Sequence, residues 1–115
     1  MRALVRSPSD AYARCLRTDA SRRIDVELAR KQHAAYVDAL RACGFDVLEL
    51  PPEPEMPDAC FVEDVAVVVN GRIIITRPGA EARRAECDSV ERALGPCRRL
   101  SRGRLDGGDV LQVGG

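Results

Sequence analysis

The sequence has no excess of charge of either sign: 18 Lys+Arg stand against 18 Asp+Glu, and the pI is near 6.6. Nucleic acids are held by clustered positive charge that displaces their counterions, so a nucleic-acid partner is not expected. No apolar run approaches the roughly 20 residues that crossing a bilayer requires. The opening segment, MRALVRSPSDAYARCLR, also lacks the continuous apolar core of a secretory signal. The expectation is a cytoplasmic protein with no membrane partner. Lysine is almost missing, since every basic residue except Lys31 is arginine, a bias that carries no functional reading. The five cysteines, Cys15, Cys43, Cys60, Cys87 and Cys97, never form the C-x-x-C pairs of zinc or redox sites. They are expected as reduced thiols packed as small hydrophobes. His33 is the single histidine, so no pair is available for a metal or a relay, and a surface or half-packed helix position is expected for it. No G-x-S-x-G, H-E-x-x-H or dinucleotide fingerprint occurs, and LDGGD lacks the spacing and the lysine of a phosphate loop.

What is present is an ordinary globular composition, 115 residues with 45% hydrophobic, read as a single domain over 1–115. Ala3 to Val5 reads as a first strand, stopped near Pro8, and a polar segment runs from Ser9 to Arg23. Asp25 is a plausible N-cap for a helix whose stripe is Leu28, Gln32, Ala35, Tyr36, Ala39, Leu40 and Cys43, with Gly44 as its left-handed stop. Phe45 to Leu50 reads as a strand ended by Pro51 and Pro52. Phe61 to Val69 and Arg72 to Thr76 are strand-like and separated only by Asn70-Gly71, the dipeptide suited to a type I′ hairpin turn. Ala82 to Leu94 carries helical spacing through Cys87, Val90 and Leu94 before Gly95-Pro96. A weak strand at Cys97 to Leu100, a polar loop from Ser101 to Gly108 and a last strand from Val110 to Val113 complete a mixed α/β domain.

The placement of the carboxylates is informative. PDACFVEDVAVVV puts Glu63 and Asp64 in the middle of the most apolar predicted strand. Successive strand side chains point to opposite faces, so covering both faces would carry at least one acid into low dielectric, at a cost of several kcal/mol unless it is paired. Two readings stand side by side: an edge strand whose acids are solvated or paired with the chain's own arginines, or a carboxylate that, with Asp58, grips a planar cation such as a guanidinium. Arg77, where Pro78-Gly79 turns the chain out of the hairpin, is placed either structurally or to clamp a substrate carboxylate. Arg83 and Arg84 are read as a solvated helix face. Asp106 and Asp109 flank Gly107-Gly108, where an Asx-type turn accounts for Asp106.

IDVELARKQHAAYVDALRACG, LPPEPEMPDACFVEDVAVV, ITRPGAEARRAE and LDGGDVL, in this order and spacing, resemble the N-terminal part of the dimethylarginine dimethylaminohydrolases, or dimethylargininases. The likeness covers nearly the whole chain from Ile24, and MRALVRSP fits as well; FVED and GGD taken singly also resemble other guanidine-modifying enzymes. The resemblance implies a pentein α/β-propeller of five ββαβ modules, of which this chain would supply about two. It implies hydrolysis of dimethylarginine or monomethylarginine to citrulline and the amine, through a cysteine thiolate that attacks the guanidinium carbon, with no cofactor or metal. Residue by residue, Asp64 would bind the guanidinium nitrogens, Glu63 and Asp58 would line the substrate pocket, and Arg77 would hold the α-carboxylate. Asp106 would match the acid that orients the catalytic histidine.

Family members are about twice as long, and their histidine and nucleophilic cysteine arise in the second half. None of the five cysteines here holds that place, Cys60 included, so a fragment inactive by itself is expected. Arginine deiminase-like activity on unmethylated arginine, and a non-catalytic module that binds arginine or a partner protein, are the competing functions. A degenerate product that does not fold alone is the bland one.

Overall fold

The computed structural model describes residues 1–114, and the contacts group them into two units, Met1–Cys60 and the residues from Phe61 onward.

The first unit is built on a β-α-β succession. Strand β1 (Arg2–Arg6) pairs in parallel with β2 (Asp46–Leu50), in register from Arg2 opposite Asp46 to Arg6 opposite Leu50. Parallel neighbours need a long crossover, and helix α1 (Val26–Ala42) supplies it. Asp25 caps α1 as its sequence suggests, its side chain accepting the Leu28 N–H at 2.9 Å. The stripe that faces inward differs from the expected one: Val37 is buried and Val26, Ala29, His33 and Leu40 are half-buried, whereas Leu28 and Tyr36 are exposed. Both stripes repeat at three and four, and the one bearing the β-branched valines is the one the unit covers. The polar segment after β1 contains a short 3-10 helix, Asp10–Arg14, anchored by the buried Ala11. Arg6 ends β1 as a buried cation, donating from Nε to the Pro51 carbonyl at 3.1 Å and lying 3.7 Å from Glu53 Oε1.

The second unit has the order β-β-α-β. Strands β3 (Ala66–Val69) and β4 (Arg72–Ile75) form the expected hairpin, and φ values of 50° at Asn70 and 71° at Gly71 fit the type I′ turn. Helix α2 (Glu86–Leu94) then returns the chain to a two-residue strand, β5 (Arg98–Arg99), parallel to β4, so the sheet order is β3-β4-β5. Val65, Val67, Ile75, Cys87 and Val90 make the core between sheet and helix.

Three expectations change here. The long predicted strand from Phe61 begins only at Ala66, because Val62–Asp64 coils into a 3-10 turn. The predicted helix from Ala82 also opens with a 3-10 turn, Glu81–Arg83, before α2 begins at Glu86. Val110 to Val113 joins no ladder among the described residues: Leu111 and Val113 are exposed, and the Val68 carbonyl is met by the Gln112 side chain at 2.8 Å. Alternating apolar residues make a strand only where a partner strand offers its backbone. Among the described residues no helix is long and apolar enough to cross a membrane.

Candidate active site

The predicted site residues divide between the units: Asp58 belongs to the first, and Glu63, Asp64, Arg77 and Asp106 to the second.

Asp58 is buried, and both of its carboxylate oxygens accept the Leu16 backbone N–H, at 3.2 and 3.1 Å. Its negative charge reaches the phenol of Tyr12 and the thiol of Cys15, whose pKa values are raised first by burial and then by neighbouring negative groups, Asp58 among them.

In the second unit, the 3-10 turn replaces the strand that was expected to carry both acids inward. Asp64 N–H returns to Phe61 O at 3.1 Å and Val65 N–H to Val62 O at 3.2 Å, closing the turn. Thr76 at the end of β4 fastens it to the sheet, with Oγ1 donating to Asp64 O at 2.7 Å and N–H donating to Val65 O at 3.0 Å. The turn parts the two acids: Glu63 is exposed, while Asp64 is half-buried.

Asp64 is gripped through both oxygens. Arg83 Nη1 donates to Oδ2 at 2.7 Å, and the Gly108 backbone N–H donates to Oδ1 at 3.1 Å. The second contact joins the Val62–Asp64 turn to a further 3-10 turn at Gly107–Asp109, and the two glycines make this approach possible. A Cβ at Gly107 would lie 2.0 Å from Glu63 O, and one at Gly108 would lie 2.6 Å from Asp64 Oδ1.

The placement of Arg83 overturns the solvated-face reading. It is buried, and besides Asp64 it meets Glu86, with Nε 3.1 and 3.2 Å from the two carboxylate oxygens and Nη2 2.9 Å from Oε2. Desolvation alone would lower the guanidinium pKa, but the hydrogen bonds to Glu86 and Asp64 outweigh it and raise the value above that of a free arginine. Thus the chain's own arginine pairs with Asp64, one of the partners the sequence left open. The signal for Arg83 was present: it precedes Cys87, Val90 and Leu94 by four, seven and eleven positions, on the stripe that those three residues mark as inward. Arg84 is likewise not a fully solvated side chain, being half-buried with Nε donating to Pro78 O at 3.1 Å.

Arg77 is half-buried and lies just beyond β4 in an isolated bridge to Leu105, with Leu105 N–H donating to its carbonyl at 2.8 Å. Its Nη1 donates to Gly103 O at 2.8 Å, which engages one of the five guanidinium N–H groups. Asp106 is half-buried, and Oδ2 accepts the Gly79 N–H at 3.1 Å. Its backbone carbonyl accepts from Asp109 N–H at 3.0 Å, so it opens the glycine turn. The second unit therefore clusters Asp64, Arg83, Glu86 and the two glycines, with Asp106 leading into the same turn. Among the described residues, no group of three or more His, Cys, Asp or Glu is arranged to hold a metal ion.

Comparison with known proteins gives one consistent result. The family described as N,N dimethylarginine dimethylhydrolase, eukaryotic, matches residues 4–95. An N(G),N(G)-dimethylarginine dimethylaminohydrolase of Streptomyces coelicolor is 47% identical, over 98% of this chain and 46% of its own length. The enzyme of the same name from Pseudomonas aeruginosa is 35% identical, over 96% of this chain and 46% of its own. The chain thus spans about half the length of the curated relatives it matches. A solved cysteine-to-serine mutant of the P. aeruginosa enzyme in complex with citrulline superposes with a TM-score of 0.90 at 35% identity, over 96% of this chain and 46% of that one. An N-terminal domain of a cyanobacterial arginine dihydrolase shares the fold at 16% identity, with a TM-score of 0.70 over 92% of this chain and 42% of that one. With its mixed α/β fold matching these structures, the chain belongs to the dimethylarginine dimethylaminohydrolase family.

Proposed function

We propose that this chain supplies the guanidinium-binding part of a dimethylargininase, as the N-terminal portion of a five-module propeller. The observation that carries the reading is the double hold on Asp64, one oxygen on Arg83 and the other on the Gly108 N–H, in a side chain that keeps 22% of its surface open. A carboxylate so fixed has lost most of its rotational freedom before any ligand arrives, yet each oxygen retains lone-pair capacity for a planar cation. Arg77 is the matching anion receptor, holding the substrate α-carboxylate through the N–H groups not engaged by Gly103. Glu63 lines the substrate path, and Asp106 orients a histidine.

Catalysis uses a cysteine and a histidine of the second half found in longer family members. The thiolate sulfur forms a bond to the guanidinium carbon. Dimethylamine, or methylamine from the monomethyl substrate, then leaves with a proton as its carbon–nitrogen bond breaks. Water displaces the sulfur to give citrulline and regenerate the thiolate. The part played by Asp64 is to hold the guanidinium plane still while its carbon becomes tetrahedral.

The test is citrulline formation by the product of the complete reading frame that contains this chain, offered dimethylarginine, monomethylarginine and arginine separately. Preferred turnover of the methylated substrates supports the reading. Dominant turnover of plain arginine, or of none of the three, overturns it.

A further inference from the structure

Thr76 stands where the β3–β4 ladder stops. Ala66 lies opposite Ile75, so the next step of the register sets Val65 against Thr76, and the one after sets Asp64 against Arg77. Only half of the Val65–Thr76 pair forms: the Thr76 N–H donates to Val65 O at 3.0 Å, but the Val65 N–H turns back to Val62 O at 3.2 Å. The carbonyl it would have met, Thr76 O, takes the thiol of Cys87 at 3.6 Å. Leaving the ladder thus costs Val65 no hydrogen bond, because the 3-10 turn replaces it one for one. The turn also gains a bond that the ladder has no equivalent for, from the buried Thr76 Oγ1 to Asp64 O at 2.7 Å. In a continued ladder Asp64 and Arg77 would be a non-hydrogen-bonded pair, with the Asp64 carbonyl pointing away from β4.

We propose that Thr76 is a positioning residue for the guanidinium site: its hydroxyl holds Val62–Asp64 in the turned form, and the turn delivers the Asp64 carboxylate to where Oδ1 meets the Gly108 N–H at 3.1 Å. This inference rests on the reading of Asp64 as the guanidinium-binding residue and adds the group that selects turn over strand. The segment needs such a group, since Phe61 to Val69 carries the aromatic and β-branched residues of a strand around its two acids. Valine at position 76 would keep the β-branch and nearly the volume but lose the donor, so this one substitution isolates the hydroxyl.

The experiment compares wild type, Thr76→Val, Thr76→Ser and Asp64→Asn in the product of the complete reading frame. KM and kcat for dimethylarginine are measured well below the melting temperature of each variant. A merely structural bond would lower the melting temperature and leave the KM of the folded enzyme where it was. Thr76→Val is expected to raise KM by about tenfold with a smaller change in kcat, the scale of one lost hydrogen bond or a slight misplacement of the binding group. Thr76→Ser keeps the donor and is expected to hold KM within about threefold of wild type.

A wild-type KM in folded Thr76→Val, or a Thr76→Ser enzyme as impaired as Thr76→Val, overturns the inference. If Thr76→Val does not fold, Thr76→Cys decides through its weaker donor: a raised KM supports the inference and a wild-type KM refutes it. Unchanged KM and kcat in Asp64→Asn instead overturn the reading of Asp64 itself, and this inference with it.

Discussion

The α-carbon of Gly107 stands over the backbone carbonyl of Glu63 so closely that a methyl group added there would lie 2.0 Å from the oxygen. That oxygen belongs to backbone fixed by the neighbouring Asp64 and Val65 hydrogen bonds and cannot swing aside. Gly107→Ala is therefore expected to part the two turns and destabilise the protein by about 2 kcal/mol or more, within the range for overpacking. Gly108→Ala is expected to be milder in stability, since its new methyl would meet the Asp64 side chain, at 2.6 Å, rather than backbone. It should instead disturb Asp64 and raise KM. Thermal denaturation and steady-state kinetics of the two variants separate these outcomes, and an unchanged melting temperature for Gly107→Ala would contradict the close approach.

Arg77 combines a structural bond to Gly103 O at 2.8 Å with the proposed hold on the substrate α-carboxylate. Arg77→Lys keeps the charge and loses the planar fork. It is expected to raise KM for dimethylarginine by about tenfold or more with a smaller change in kcat, as loss of a bidentate ground-state contact would. An analogue lacking the carboxylate should be insensitive to the substitution. Equal losses for both substrates would leave Arg77 with its structural bond alone.

The hairpin, the α1 cap and the alternation of strand with helix were legible because each has a local cause: Asn70-Gly71 accepts positive φ, Asp25 reaches the N–H of Leu28, and prolines close β2. The turn at Val62–Asp64 was not, because nothing within FVED distinguishes a strand from a 3-10 turn. The choice is made by Thr76, twelve residues from Asp64, which bonds the Asp64 and Val65 carbonyls. The same limit concealed which stripe of α1 faces inward, and which residues adjoin Asp64. Arg83 and Gly108 are separated from Asp64 by 19 and 44 positions and are joined to it only by the fold. Asp64 itself was visible as a carboxylate needing a partner, since an acid in an apolar setting signals a missing cation whether or not that cation lies within the chain, and here Arg83 answers it, whereas Glu63 is exposed.

All five cysteines are free thiols, but their surroundings grade them. Cys87 is buried, its thiol pKa is raised by desolvation first, and Sγ donates to Thr76 O at 3.6 Å. Cys43 is exposed at the end of α1. Because the thiolate is the reactive form, native alkylation with iodoacetamide at pH 8 is expected to modify Cys43 first and Cys87 only after denaturation. Peptide mapping by mass spectrometry at increasing times gives the order, and early labelling of Cys87 would place it outside the core.

His33 sits half-buried on the inward stripe of α1, its ring 6.3 Å from that of Tyr36. Burial pushes its pKa below the ordinary 6.5, and the negative charge of Glu49 opposes the shift only in part. The folded protein therefore takes up the proton less readily than the unfolded chain. Well above pH 6.5 the imidazole is neutral in both states and costs nothing. As pH falls from there through the lower folded value, the unfolded chain binds the proton first and stability declines. His33→Gln removes this contribution, so its melting temperature relative to wild type is expected to stay level above pH 7 and to rise between about pH 6.5 and 5. A relative rise in the stability of wild type over that interval would mean that the charged imidazole is favoured by its surroundings, with attraction to Glu49 outweighing desolvation.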